Sequence, residues 1–230
     1  MESIIMVILS EQRNDKGAVM EIRIIQKNKE LWSAEFDIVG NNQLLGKIWF
    51  RGSMGSIEGS FEIKYMDDYI HMTPTSVRKA VEMSEGYVQC GIFKNPYRPY
   101  LLEYNNSPGI IFHHQIKNMS YRFLNICNDP LKMYPLGFGK KGMCCPIYRG
   151  DQCIAEIHKE PVIHDDLHEF ILCFPDYSIV PALIIYACHE YVIAYYKAGV
   201  KPTKGIQKDY YKTTDKKMLS KYTNTYYLEQ

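Results

Sequence analysis

Three histidines lie close together late in the chain: His158, His164 and His168, the last two framing Asp165-Asp166-Leu167. On a helix, H-x-x-x-H puts two imidazoles on one face, and a third histidine with a carboxylate completes a zinc-type donor set. No glutamate follows His164, so the metalloprotease pattern is missing. Asp165-Asp166 between two apolar runs reads instead as a turn. A metal-dependent or Cys–His hydrolase using His158, His164 and His168 is the second reading of the chain, and the leading one expects no metal and no cofactor. The seven cysteines show no framework spacing, which fits a reducing compartment. Cys144-Cys145 cannot act as C-x-x-C, and Cys90, Cys127, Cys153 and Cys173 sit singly in strand-like runs, as small buried hydrophobes do. A Cys–His nucleophile couple needs no sequence proximity, and nothing here selects one pair.

Gly137-Phe138-Gly139-Lys140-Lys141-Gly142 matches G-x-G-x-x-G letter for letter. Dinucleotide binding needs a helix to open at the third glycine, because its first amides hold the pyrophosphate. Here Met143-Cys144-Cys145-Pro146-Ile147-Tyr148 follows, and Pro146 forbids a regular helix. The pattern therefore reads as a glycine-rich hairpin exposing Lys140 and Lys141, and these two with Arg149 are the candidate ligand-binding residues. Lys201 to Gln230 carries seven lysines and five tyrosines against three acidic residues, and reads as a closing strand or docked tail. That segment offers a second place to meet phosphates or anionic lipid. The chain as a whole has a net charge of only +1, which provides no global field for nucleic acid.

The elements that position these groups are mostly short strands. Glu21 to Ile24, Leu31 to Val39, Leu44 to Phe50, Phe61 to Tyr65 and Tyr69 to Met72 have strand character. Tyr87 to Phe93, Tyr100 to Tyr104, Ile110 to His114 and Tyr121 to Ile126 continue the rhythm. Turn signals fall at Gly40-Asn41-Asn42, Asn95-Pro96, Asn105 to Gly109 and Asn128-Asp129-Pro130. One helical insertion is expected at Val77 to Ser84, capped by Thr75 or Ser76. The N-terminal apolar stretch, Ile4 to Leu9, is too short for a signal peptide, lacks a basic flank, and reads as a first strand.

Ten consecutive apolar residues, Ile179 to Cys188, stand apart from this pattern. Asp176 or Ser178 as cap, Pro181 in the first turn, Gly199 as C-cap and Pro202 beyond it predict a helix over about 178–199. A helix apolar on all sides is buried in protein or in lipid. His189-Glu190 interrupts its middle, where a charge in a bilayer costs at least ~2.5 kcal/mol. A protein-buried helix with no transmembrane span is the expectation, and His189-Glu190 then need partners of their own.

Strands followed by a hydrophobic C-terminal helix resemble the tubby-like superfamily, with its tubby C-terminal, LURP-one-related and scramblase-like members. Met133 to Gly139, Pro146 to Gln152 and Ile154 to Ile157 look like the small, uncharacterised bacterial-type members. The resemblance implies a closed antiparallel barrel of about twelve strands around one apolar helix. Tubby domains bind phosphoinositides through basic surface side chains, but no motif here matches that pocket. The resulting expectation is a mainly β protein, one domain over 1–230, with a basic tyrosine-rich segment at 201–230. Functionally it reads as a cytoplasmic, non-enzymatic binding module meeting anionic lipid, a phosphorylated ligand or a protein partner, without specific nucleic-acid binding.

Overall fold

An antiparallel sheet closes on itself around a single helix. The computed structural model describes residues 12–14, 17–53, 58–84, 97–116, 119–213 and 215–222. Its strands are β1 (Gln12–Asn14), β2 (Gly17–Lys29), β3 (Ser33–Gly40), β4 (Gln43–Gly52), β5 (Gly59–Tyr65) and β6 (Asp68–Pro74). After helix α1 (Val77–Met83) come β7 (Tyr97–Tyr104), β8 (Ser107–Ile116), β9 (Met119–Ile126), β10 (Asp129–Met133) and β11 (Leu136–Gly139). They are followed by β12 (Met143–Arg149), β13 (Gln152–Lys159), β14 (Val162–His164), β15 (Glu169–Phe174) and helix α2 (Val180–Glu190). The last described elements are β16 (Ile206–Lys208), β17 (Tyr211–Lys212) and α3 (Lys216–Lys221). The expected strands at Met1 to Ser10 and Tyr87 to Phe93, and the Asn95-Pro96 turn, lie outside the described residues.

Sequential antiparallel pairing runs from β2 through β10, and β2 also pairs with β15, β15 with β13 and β13 with β12. Pairing of β10 with β12 closes the ring of twelve strands. The turns follow from the sequence: Asn41-Asn42 (φ 51° and 59°) and Asn105-Asn106 (φ 47° and 67°) take left-handed backbone that asparagine tolerates. Paired positive φ values give the turn whose twist matches that of antiparallel strands. Ser76 caps α1 as its side chain accepts from Lys79 N at 3.2 Å. The helix covers a second small core of Ala80, Ile110, Phe112, Tyr121 and Phe123 outside the barrel.

Every residue of α2 is buried, and Leu183, Ile184 and Ile185 are fully so. Complete burial of such a side chain contributes about 1.5–3 kcal/mol. The barrel lining comes from alternate strand residues, including Ile22 and Ile24, Ile48 and Phe50, and Phe170, Leu172 and Phe174. One gap between helix and wall, bounded by Ile24, Phe36, Ile48 and Tyr191, has no room for a water molecule. By length and hydropathy the helix over Tyr177–Tyr195 could cross a membrane, but 78% of that window is buried inside the protein.

The helix differs from expectation at its C-terminal end. A 3-10 turn at Tyr177–Ile179 leads in, with Asp176 accepting from Ser178 N. A π-helical turn at Tyr191–Tyr195 then ends it, four residues before the expected stop at 199. Tyr196 N donates to Tyr191 O at 2.8 Å and Tyr196 is already extended. Gly199 is not the C-cap but a later turn residue, at φ +71°, whose amide donates to Leu31 O.

The polar interruption of α2 finds a partner inside the barrel. Arg122, on the lining face of β9, donates through Nε and Nη2 to Glu190 Oε2 at 3.0 and 2.8 Å. Both side chains are only 6% exposed. His189 is fully buried, edge-on to the Tyr100 ring at 6.0 Å. Stranding one partner of a buried ion pair costs about 3–5 kcal/mol, whereas replacing both with apolar groups is often neutral. Glu190→Ala is therefore expected to lower unfolding free energy by about 3–5 kcal/mol in urea denaturation. Arg122→Met with Glu190→Leu is expected to recover most of that loss, and a double variant no better than the single one would contradict the role given to the pair.

Candidate functional site

Alternation along β12 and β13 separates two sets of side chains. Met143, Cys145 and Ile147 on β12, and Ala155 and Ile157 on β13, point into the barrel core. Cys144, Glu156 and His158 lie on the outer face. Cys144 sits directly opposite His158 in the ladder, and Glu156 is two residues along the same strand. Strand geometry puts such neighbours on one face within side-chain reach.

This outer face is nonetheless buried: Cys144, Glu156 and His158 are 4%, 0% and 7% exposed. Glu156 Oε2 lies 3.0 Å from His158 Nε2 and 3.7 Å from Cys144 Sγ, and Sγ lies 3.8 Å from Nε2. Tyr222, just past α3, closes over the group, its hydroxyl 3.1 Å from Cys144 Sγ and 3.2 Å from Glu156 Oε2. Among the described residues this is the one group of three metal-type side chains whose donor atoms all lie within 4.8 Å of one another. Burial, reinforced by the Glu156 charge, raises the Cys144 thiol well above its ordinary value. At neutral pH the thiol stays protonated, which is not the state of an attacking thiolate.

A β-bulge makes this grouping. The two-residue turn at Gly150-Asp151 sets Arg149 opposite Gln152 and Tyr148 opposite Cys153. The register then shifts, leaving Ile154 without a partner, so that Ile147 faces Ala155. One extra residue changes which neighbours share a face. As built, Cys144 stands opposite His158 and Pro146 opposite Glu156; without the bulge Cys145, not Cys144, would share the face of Glu156 and His158.

The three histidines singled out from sequence fall in two places. His158 belongs to the group just described. His164 ends β14, is exposed, and pairs with Ile206. His168 is buried on the far side of the Asp165-Asp166 turn, its ring 4.3 Å from that of Tyr195. Both aspartates have left-handed backbone (φ 53° and 60°), so the segment is a turn and not a helix face.

Lys140 and Lys141 form the exposed tip of the β11–β12 hairpin. The glycines of the G-x-G-x-x-G pattern serve that hairpin and its neighbour. A Cβ on Gly137 would stand 2.5 Å from the Tyr211 backbone, so glycine is what lets β17 dock. Gly142, at φ +99°, would bring a Cβ within 2.5 Å of Lys159 O. Thr213 fastens the docking, its hydroxyl accepting from Gly137 N at 2.6 Å and donating to Gly137 O at 2.8 Å. Phe138 pairs with Lys212, and Tyr210 lies over Gly139. Exposed Lys140, Lys141 and Lys212 thus share an edge with Phe138 and Tyr210, themselves 38% and 62% exposed. Arg149 is apart from this edge, donating twice to the Asp129 carboxylate.

No family model, curated protein or solved structure matches the chain.

Burial, with the nearby charges of Lys159 and Lys29, lowers the His168 pKa from 6.5 to about 3. Asp166 lies 3.5 Å from its Nε2 but is itself paired with Lys29. Unfolded, a histidine protonates near pH 6.5, so between there and pH 3 the unfolded chain binds the extra proton. Stability is lost as pH falls through that window, by up to ~1.4 kcal/mol per pH unit for this residue. His168→Phe, which keeps a ring against Tyr195, is expected to flatten the decline in urea midpoint between pH 7 and pH 4. A decline parallel to that of the unaltered protein would contradict this.

Proposed function

We propose that the protein is a non-enzymatic binding module that works from the outside of a filled barrel and meets anionic lipid surfaces. The observation that carries this reading is the β11–β17 edge, where Lys140, Lys141 and Lys212 are exposed beside Phe138 and Tyr210. Cations attract an anionic leaflet, while amphipathic rings settle at the headgroup level. The barrel interior favours an outward-acting protein, since α2 occupies it. The twelve-strand barrel around an apolar helix is the architecture that a tubby-like, LURP-one-related kinship implies, and so supports that kinship as part of the reading. A reducing compartment such as the cytoplasm also belongs to it, because the six described cysteines are free thiols.

A hydrolase built on His158, His164 and His168 has less support, because His164 is solvent-exposed on a hairpin and His168 is packed against Tyr195.

A surface lysine contributes ~1 kcal/mol to binding an anionic leaflet. Lys140→Ala with Lys141→Ala is therefore expected to weaken binding to phosphatidylserine-containing vesicles about 30-fold in a flotation assay at low salt. Recovery is expected to fall further as salt screens the contact. Equal recovery with neutral and anionic vesicles would remove the lipid reading and leave a phosphorylated ligand or protein partner to be tested at the same edge.

A further inference from the structure

We propose that Cys144, Glu156 and His158, with the Tyr222 hydroxyl at the fourth position, form a site for one borderline-soft divalent cation of the zinc(II) type, which staples the C-terminal segment to the barrel wall. Thiolate, carboxylate and imidazole are the three donor kinds that zinc takes from proteins, with bonds of about 2.0–2.3 Å. A tetrahedral ion with those bonds holds its ligand atoms about 3.3–3.6 Å apart. Five of the six donor pairs stand 3.0, 3.1, 3.2, 3.7 and 3.8 Å apart, bracketing that spacing, so for these an ion enters with shifts of a few tenths of an ångström.

The donors reside on three segments. Cys144 belongs to β12, Glu156 and His158 to its neighbour β13, and Tyr222 to the chain after α3. The ladder fixes the first three independently of any ion. Tyr222 belongs to the segment held otherwise by the short β11–β17 pairing, the Thr213 contacts and the ring of Phe138 5.9 Å from its own. Binding an ion releases the Cys144 proton to solvent and joins thiolate, carboxylate, imidazole and phenol oxygen around it, with no change of oxidation state. A mixed sulfur, nitrogen and oxygen set disfavours magnesium and calcium, which take oxygen donors. The wall's contribution is rigidity, and the tail's is closure, which makes the site structural rather than open to substrate.

The proposal is independent of vesicle binding, and its readouts are separate from that assay. The full chain, stripped with a chelator and dialysed against zinc, is expected to retain one equivalent by elemental analysis. Cobalt(II) in place of zinc is expected to give a near-ultraviolet sulfur-to-metal charge-transfer band. Cys144→Ser should lose the band, while Cys127→Ser, which alters an exposed cysteine in the β9–β10 turn, should keep it. Glu156→Gln, close in shape, should keep the band with affinity at least 10-fold weaker, and it serves if Cys144→Ser does not fold. Zinc should slow tryptic cleavage at Lys216 to Lys221 in the unaltered protein. Absence of stoichiometric zinc and of the cobalt band, a band that survives in Cys144→Ser, or unchanged affinity in Glu156→Gln would overturn the site. Cleavage unaffected by bound zinc would overturn the staple.

Discussion

A helix apolar on all sides from Ile179 to Cys188 cannot be left in water, and this chain's solution is to wrap it in its own sheet. Val180–Glu190 has no polar face, and all of it is buried by residues from the barrel strands. The strand count, the lining pattern and the ring closure between β10 and β12 serve that enclosure. The helix in return supplies the core without which a twelve-strand ring would be hollow. Its one charged residue is accommodated by a matching charge on the wall, and the Arg122–Glu190 pair ties the C-terminal end of the helix to β9.

A filled barrel leaves its outer face as the surface open to other molecules. Two outer features stand out, and the C-terminal segment contributes to both of them. Through β17 it adds Lys212 and Tyr210 to the lysine hairpin. Through Tyr222 it covers Cys144, Glu156 and His158. The tail thus completes the cationic edge and the polar cluster alike, though their chemistry is separate.

Much of the architecture was legible in the sequence because it rests on local signals. Period-two alternation, paired asparagines and the Ile179 to Cys188 run each point to one conformation, and α1 falls within a residue of its expected end. The helix C-terminus was not legible, since Gly199 and Pro202 are ordinary stop signals while the π-helical turn at Tyr191–Tyr195 answers to packing. The candidate site was half legible. Glu156-Ile157-His158 carries the alternation that puts a carboxylate and an imidazole on one strand face, a signal overshadowed by the H-x-x-x-H spacing next to it. The cysteine that joins them could not be chosen, because the bulge at Ile154 decides between Cys144 and Cys145, and Tyr222 arrives by tertiary docking. Lys140 and Lys141 were found from the glycine pattern, whereas their partner Lys212 depends on a strand pairing across more than 70 residues.

Enclosure of the helix is best tested by amide hydrogen exchange on the full chain in plain aqueous buffer. If the barrel surrounds α2, the amides of Val180–Glu190 exchange only through global unfolding, are among the slowest in the protein, and do not change when lipid is added. Rapid exchange of those amides in water, or protection that develops only with lipid or detergent, would contradict the account.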